Sequence, residues 1–381
     1  MLHVLCRFIM RILFAGGGTG GHFFPIIAAI RELKRIAEER QILDLELYYM
    51  SPDSLGEALL KQEKIVHIRV MSGKVRRYFS LKNFSDMFKL GIGIIQATWN
   101  MFLIMPDVVF SKGGYGALPA VIASAIFNIP LMIHDSDAIP GRVSVFSARF
   151  ARRIGIAFPT AEGFFPKDKT ALVGIPIRKR ILGGNREHAK EELSVYSDLP
   201  VVGIIGASQG SEKINDAVLG ALKDLTEEFE VIHQTGSDNF TEVKGEAEVI
   251  TEFAHKERYH PFGFLDEGKL REFYLLSDVV VSRASATTIF EIAAWGKPAI
   301  LIPLNNSAQD HQKKNAFEYA ETGAALVVEE ENLTPHILLA EIRKVAMDSE
   351  RRKKMSEAAQ KFARIDSAEI IAKEILNLGV H

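Results

Sequence analysis

Short apolar runs alternate with longer amphipathic stretches along nearly the whole chain, a rhythm that predicts βαβ units wound around parallel sheets. The runs predict strands at 11–15, 46–50, 65–70, 107–110, 131–133 and 153–156 in the first half. In the second half they predict strands at 201–205, 230–233, 248–250, 278–281, 299–302 and 325–328. Ile26, Ile27, Ile30, Leu33 and Ile36 recur at helical spacing, which predicts a helix over 24–39. Similar periodicity predicts helices over 211–225, 267–276, 286–295, 309–322 and 334–346. The rhythm breaks over 159–180, where Pro176 restricts the residue before it, so the crossover between two doubly wound α/β sheets is expected there. The expected domains are 1–170, 171–350 and a closing pair of helices in 351–381 that packs back on the first domain.

At 381 residues the chain exceeds the size at which one core usually suffices, and 47% apolar with 25% charged residues is the composition of a globular protein. The 46 basic and 48 acidic residues nearly cancel, which argues against nucleic acid as a partner. Cys6 alone makes an internal disulfide framework and a cysteine-rich metal site impossible and suits a reducing, cytoplasmic setting. The opening MLHVLCRFIM is too short for a signal peptide core, and Met10 is an equal candidate for the start. No uninterrupted apolar run reaches the length of a membrane span.

Two glycine-rich turns lie about half a chain apart, each between a predicted strand and a predicted helix: Gly16 to His22, and Gly206-Ala207-Ser208-Gln209-Gly210-Ser211. Glycine lets the backbone approach a ligand, and the N–H groups opening the next helix suit a phosphate. Close packing of helix on sheet explains such a turn equally well. The first turn lacks the acidic residue of a dinucleotide site, Ser51 and Asp53 being nearest, but it ends in His22, whose imidazole at a helix N-terminus is favoured in its neutral, proton-accepting form.

Val281 to Glu291 follows a later strand with small hydroxyl residues, Ser285, Thr287 and Thr288, able to donate to a diphosphate. Ser285 is also read as a plain N-cap. Glu291, one turn further, can accept both hydroxyls of a ribose. Pro303 to Gln312 supplies amides and a carboxylate that suit a sugar, against the plainer reading of a polar loop with Asp310 near a helix start.

In combination these motifs resemble the MurG family, UDP-N-acetylglucosamine transferases of the GT-B class and glycosyltransferase family 28 that make lipid II from lipid I. The resemblance runs from Gly17–His22 through Gly113-Gly114-Tyr115, His134 to Gly141, Ser208-Gln209-Gly210, Ser282-Arg283-Ala284 and Glu291 to Asp310-His311-Gln312, Asn315 and Ala316. It implies two Rossmann-like parallel-sheet domains facing across a cleft. The second would hold UDP-N-acetylglucosamine, with Glu291 on the ribose, Ser208, Gln209, Gly210, Ser285, Ala286, Thr287 and Thr288 around the diphosphate, Arg178 and Arg283 nearby, and His311 and Gln312 on the sugar. The first would hold lipid I, with Thr19, Gly20 and Gly21 at its diphosphate and Tyr115, His134 and Asp137 alongside. His22 would be the base of an inverting transfer, and no cofactor or metal would be required.

The family usually reads His-Glu-Gln-Asn where this chain has His134-Asp135-Ser136-Asp137, Val-Ser-Gly-Pro where it has Gly116-Ala117-Leu118-Pro119, and Arg-Ala-Gly or Arg-Ala-Ala where it has Arg283-Ala284-Ser285. Asp135-Ser136-Asp137 also spells D-x-D, a pattern two carboxylates can use to hold Mg²⁺, although it lies in the half opposite the expected donor site. Over 74–105, Lys74, Arg76, Arg77, Lys82 and Lys89 interleave with Tyr78, Phe79, Phe84, Phe88, Ile95, Trp99 and Phe102, a mixture suited to an anionic membrane surface or to an ordinary amphipathic helix with a basic face. A lipid-linked acceptor favours the first, which places the protein peripherally at the cytoplasmic face of the membrane. The rivals are another GT-B transferase with a different lipid acceptor, a non-catalytic UDP-sugar-binding relative, and a sugar-nucleotide epimerase.

Overall fold

The computed structural model describes the chain apart from residues 1–8, 18, 43, 55, 74–80, 207–209, 252–254, 306 and 381 and the side chains of 81–84 and 308. The chain forms two compact units, Met1–Ile177 with Ile365–His381, and Arg178–Arg364.

The first unit runs β1 (Ile9–Ala15), α1 (Gly20–Glu39), β2 (Asp44–Ser51), α2 (Glu57–Gln62), β3 (Val66–Arg69), α3 (Leu81–Ile104), β4 (Val108–Ser111), α4 (Leu118–Ile126), β5 (Leu131–Asp135), α5 (Arg142–Ser147), β6 (Arg153–Ile156) and β7 (Thr170–Leu172). Its seven strands are all parallel, in the order β3-β2-β1-β4-β5-β6-β7. Side chains alternate across the sheet, so Ile12 and Phe14 face a core with Ile26, Ile30 and Leu33 of α1, while Leu13 and Ala15 face Ala97 and Met101 of α3 and Val121 of α4. Both faces being covered explains why the strands read as unbroken apolar runs.

The second unit runs α6 (Arg186–Leu193), β8 (Val201–Ile205), α7 (Glu212–Glu228), β9 (Glu230–Gln234), α8 (Phe240–Ile250), β10 (Tyr259–Phe262), α9 (Glu267–Leu276), β11 (Val279–Ser282), α10 (Ala286–Ala294), β12 (Ala299–Leu301), α11 (His311–Glu321), β13 (Ala325–Val327), α12 (Pro335–Ala346) and α13 (Ser349–Phe362). Its six parallel strands are ordered β10-β9-β8-β11-β12-β13. In each sheet the order reverses once, between β1 and β4 and between β8 and β11. That is where the carboxyl ends of a doubly wound sheet leave room for a ligand. The loops that follow β1, β4, β8 and β11 carry the glycine turns and the Arg283–Ser285 segment.

Several expectations are corrected. The apolar run at 248–250 is not a strand but the last turn of α8, which buries Val243 and Ala247 and leaves Val249 and Ile250 exposed. The strand lies instead at Tyr259–Phe262, where Pro261 hides the signal and is tolerated because β10 is the sheet edge. β7, a three-residue edge strand, sits inside the stretch read as a break. The helix expected from 309 begins at His311, because Gln309 and Asp310 both have positive φ.

Residues 351–381 divide. Phe362 of α13 packs on Phe290 and Tyr319, each with ring centroids 4.9 Å apart, within the second unit. The last helix, α14 (Ser367–Gly379), returns to the first unit and buries Ile371, Ala372, Ile375 and Leu376 beside α1. Ile375→Ala therefore removes core from the first unit, with an expected loss of about 2–5 kcal/mol in a denaturant titration that follows that unit's unfolding.

Candidate active site

In the second unit β8 runs into the turn Gly206–Ser211, of which Ala207, Ser208 and Gln209 lie outside the described residues. Gly210 has φ 78°, and a Cβ there would stand 2.0 Å from the Thr235 carbonyl oxygen, so only glycine fits. Ser211 then caps α7, its Oγ accepting from the Ile214 N–H at 3.4 Å.

After β11, Ser285 caps α10: its Oγ accepts from the Thr288 N–H at 3.3 Å and lies 2.7 Å from Thr288 Oγ1. The capping reading of Ser285 is thus realised, and it aims the positive end of the helix dipole, beginning at Ala286 and Thr287, toward the carboxyl end of the sheet. Glu291 lies further along α10, buried, with Oε1 accepting from Arg178 Nη2 at 3.0 Å and Oε2 accepting from the Tyr274 hydroxyl at 3.2 Å. Burial, reinforced by the Glu291 charge, pushes the Tyr274 phenol well above its usual range and keeps it a donor. Tyr274 stacks on Trp295 at 6.5 Å, and Trp295 Nε1 donates to the Ile181 carbonyl at 2.9 Å. Arg178 Nη1 also reaches Glu267 at 3.5 Å. The carboxylate is therefore held from two sides, and each oxygen retains a lone pair with which to accept a further hydroxyl.

Arg283, expected as a ligand contact, is placed differently. Its guanidinium is buried and donates to Ser211 Oγ at 2.6 Å, to the Ile302 carbonyl at 3.3 Å and to Glu330. Glu330 in turn accepts from the Asn305 N–H at 3.0 Å. Burial works against the Glu330 charge, but Arg283 and that N–H outweigh it and hold the carboxyl below its ordinary value. Arg283 thus ties together the loops at 211, 302–305 and 330. In the same region Gln312 Oε1 accepts from the Leu304 N–H at 3.0 Å, its own N–H donates to Ser307 Oγ at 3.3 Å, and His311 is half-buried at the first position of α11. The successive left-handed residues Gln309 (φ 63°) and Asp310 (φ 53°) that deliver them carry backbone strain of about 1 kcal/mol or more each.

A buried relay supports the glycine turn from below. Asn215 Nδ2 donates to the Thr235 carbonyl at 3.1 Å, so its Oδ1 must accept from His233 Nε2 at 3.1 Å, and His233 Nδ1 accepts from the Tyr259 hydroxyl at 2.9 Å. Burial pushes the His233 imidazole down to about 3, so it is neutral at pH 7.

In the first unit, Thr19 Oγ1 lies 3.3 Å from His22 Nδ1 in the first turn of α1, and both are accessible. Gly114, at φ 76°, packs directly on this turn: a Cβ there would stand 3.2 Å from His22 Cε1 and 3.2 Å from the Gly17 carbonyl oxygen. Thr19, Gly20, Gly21, His22 and Gly114 therefore gather at the β1–β4 switch point, with half-buried Tyr115 following and its carbonyl held by Ser72 Oγ at 2.6 Å. His134, expected beside a ligand, is 0% exposed and its Nε2–H donates to the Gly174 carbonyl at 2.7 Å. Burial keeps that ring neutral, so it fastens β5 to the chain after β7 instead of facing outward. Asp137 is half-buried beyond β5.

The chain matches the glycosyltransferase family 28 N-terminal domain over residues 12–156 and the C-terminal domain over 201–370. It is 36% identical over 330 residues, 86% of its length and 88% of the relative's, to the UDP-N-acetylglucosamine--N-acetylmuramyl-(pentapeptide) pyrophosphoryl-undecaprenol N-acetylglucosamine transferase of Clostridium tetani. The chain belongs to the MurG family. The transferase of the same name from Legionella pneumophila strain Paris is 37% identical over 336 residues, 88% of each chain. Among solved structures, Acinetobacter baumannii MurG superposes with a TM-score of 0.73 at 23% identity, covering 97% of this chain and 99% of that one. The UDP-GlcNAc 2-epimerase of Neisseria meningitidis bound to UDP-GlcNAc superposes at 0.68 with 13% identity, covering 97% and 100%, which shares the GT-B fold without indicating the reaction.

Sequence reasoning missed Tyr274 and Glu330, which lie in unremarkable helical and acidic stretches. The His233 relay yields a pH test. A buried neutral histidine favours folding fully above the unfolded imidazole pKa of about 6.5 and loses that contribution as pH falls, because only the unfolded chain takes up the proton. The stability gap between the parent and a His233→Gln variant should narrow by about 2 kcal/mol between pH 7 and pH 5 in denaturant titrations of the second unit.

Proposed function

We propose that the chain transfers N-acetylglucosamine from UDP-N-acetylglucosamine to the C4 hydroxyl of the muramyl sugar of undecaprenyl-pyrophosphoryl-N-acetylmuramyl-pentapeptide, lipid I, giving lipid II and UDP. It is a hexosyltransferase of peptidoglycan synthesis. The observation that carries this reading is the near full-length likeness to relatives bearing that name, in a chain whose second unit clamps a carboxylate beside a capped helix N-terminus.

The second unit takes the donor. Glu291 accepts the ribose hydroxyls from a position fixed by Arg178 and Tyr274, and the α10 N-terminus with Ser285, Thr287 and Thr288 and the 206–211 turn meet the diphosphate. His311 and Gln312 address the sugar. Electrostatic stabilisation of the departing UDP by this helix end supplies the larger share of the rate, in the manner of an oxyanion site.

The first unit takes the acceptor and the proton. We assign His22 the tautomer protonated at Nδ1, 3.3 Å from Thr19 Oγ1, so that Nε2 removes the proton from the C4 hydroxyl as that oxygen attacks C1 from the face opposite UDP. The anomeric centre inverts and a β-1,4 bond forms.

The acceptor's polyprenyl tail requires contact with a bilayer, and α3 supplies a surface for it. By length and composition Ser85–Ile104 could cross a membrane, yet it packs Ala97 and Met101 into the first unit's core and turns Phe88 (71% exposed), Ile95 (72%), Trp99 (61%) and Leu103 (62%) outward. A helix anchored on one face and apolar on the other is suited to lie at an interface rather than span it. Lys89 accompanies this face, while Lys74, Arg76, Arg77, Tyr78 and Phe79 and the side chains of Lys82 and Phe84 lie outside the described residues.

The direct test is transfer of labelled N-acetylglucosamine to a short-chain lipid I analogue; absence of product with this acceptor, or product with a diacylglycerol instead, overturns the assignment. His22→Ala should lower kcat by about 10²–10⁴-fold while UDP affinity by calorimetry stays unchanged. Glu291→Gln should weaken UDP binding by about tenfold or more, the worth of a hydrogen bond to a charged group. Phe88→Ser combined with Trp99→Ser should reduce sedimentation with phosphatidylglycerol-containing vesicles and leave turnover of a soluble acceptor analogue intact.

A further inference from the structure

One charged cluster in the first unit is not used by the chemistry above. Lys112 extends β4, its N–H donating to the Ala15 carbonyl at 2.9 Å, and its side chain is 2% exposed. The ammonium donates to Ser136 Oγ and lies within the electrostatic field of Asp135 and Asp137. Taking an ammonium out of water costs several kcal/mol unless opposite charge accompanies it; the charges that favour it here are those of Asp135 and Asp137, which flank its hydrogen-bond partner Ser136 in the chain. The reciprocal holds as well, since the Asp137 charge works against that of Asp135 and the Lys112 ammonium offsets it. Burial accordingly pushes Lys112 down to about 8, and burial together with Asp137 pushes Asp135 up to about 6.

The cluster is built into the acceptor side. Asp135 accepts from the Asp137 N–H at 3.0 Å, from the Gly141 N–H at 3.2 Å and from the Ser144 hydroxyl. Ser144 Oγ in turn stands 2.7 Å from where a Cβ of Gly113 would be, and the next residue, Gly114, packs on His22. Lys112, the 135–144 loop and the glycine pair therefore form one block against the proposed base. We propose that Lys112 is the positioning residue for acceptor recognition: its ammonium balances the Asp135–Asp137 pair, and the D-x-D sequence is thereby a charge-balanced protein cluster that seats the 113–116 turn beside His22, not a divalent-cation site. This rests on the reading of the first unit as the acceptor half.

The experiment is a double-mutant cycle of Lys112→Met and Asp137→Asn, assayed with UDP-N-acetylglucosamine and a short-chain lipid I analogue and followed by thermal unfolding. Lys112→Met should raise the acceptor KM about tenfold, the coupling that neighbouring charges show in such cycles, with the donor KM within about twofold of the parent. Adding Asp137→Asn should recover most of the acceptor KM and of the melting temperature. Equal rises in both KM values, or a double variant as impaired as Lys112→Met, overturns the proposal. If Lys112→Met fails to fold, recovery of folded protein in the double variant supports it and continued failure overturns it. A magnesium requirement that vanishes in Asp135→Asn also overturns it. Inactivity of the parent chain toward the analogue would instead sink the assigned reaction, and the thermal coupling would still decide whether Lys112 balances Asp137.

Discussion

A parallel sheet sends every strand's carboxyl end to the same edge, and where the strand order reverses the crossover helices depart to opposite faces. The space left at that edge is lined by backbone N–H groups at helix starts, and it favours negative charge before any side chain is chosen. Both sheets here have one such reversal, and Gly114 and His22 in the first unit and Gly210, Ser285 and Arg283 in the second lie in the loops or first helical turn that follow the strands at the reversal. What the side chains add is position. A carboxylate pinned by an arginine and a tyrosine keeps one orientation, and an imidazole beside a glycine turn and a threonine hydroxyl is held in place at the start of its helix.

The rigidity of the second unit's loops comes from polar groups inside that unit. Arg283 with Glu330 and Asn215 with His233 are each enclosed and mutually satisfied, and each fixes a loop whose own sequence has little reason to be rigid. Networks of this kind cost desolvation and gain uniqueness of conformation, a sensible exchange where a loop must hold one shape around a charged ligand.

Most strands were legible because burial on both faces leaves short apolar runs bounded by turn residues. The exceptions have local causes: β10 carries a proline that only an edge permits, and the Val249-Ile250 pair mimics a strand because two apolar residues happen to face solvent at the end of α8. The Ser285 cap was readable because serine is favoured just before a helix, and Glu291 stood out as a carboxylate among apolar positions of α10. Arg283 and His134 were readable as important but not in their roles, because a short motif does not say whether a side chain points outward or inward. Tyr274, Glu330 and Lys112 act through contacts with segments distant in sequence, which no local pattern encodes.

The division of the closing segment has a consequence for how the protein comes into being. Residues 365–379 complete a core that was begun by residues 9–36, so the flank of α1 that α14 covers waits for residues 365–379 to leave the ribosome, while Arg178–Arg364 has all its own parts earlier. The half that is synthesised first is thus the half that matures last, and during translation it presents an uncovered apolar flank for the time needed to make nearly two hundred further peptide bonds, on the order of ten seconds or more at ordinary elongation rates.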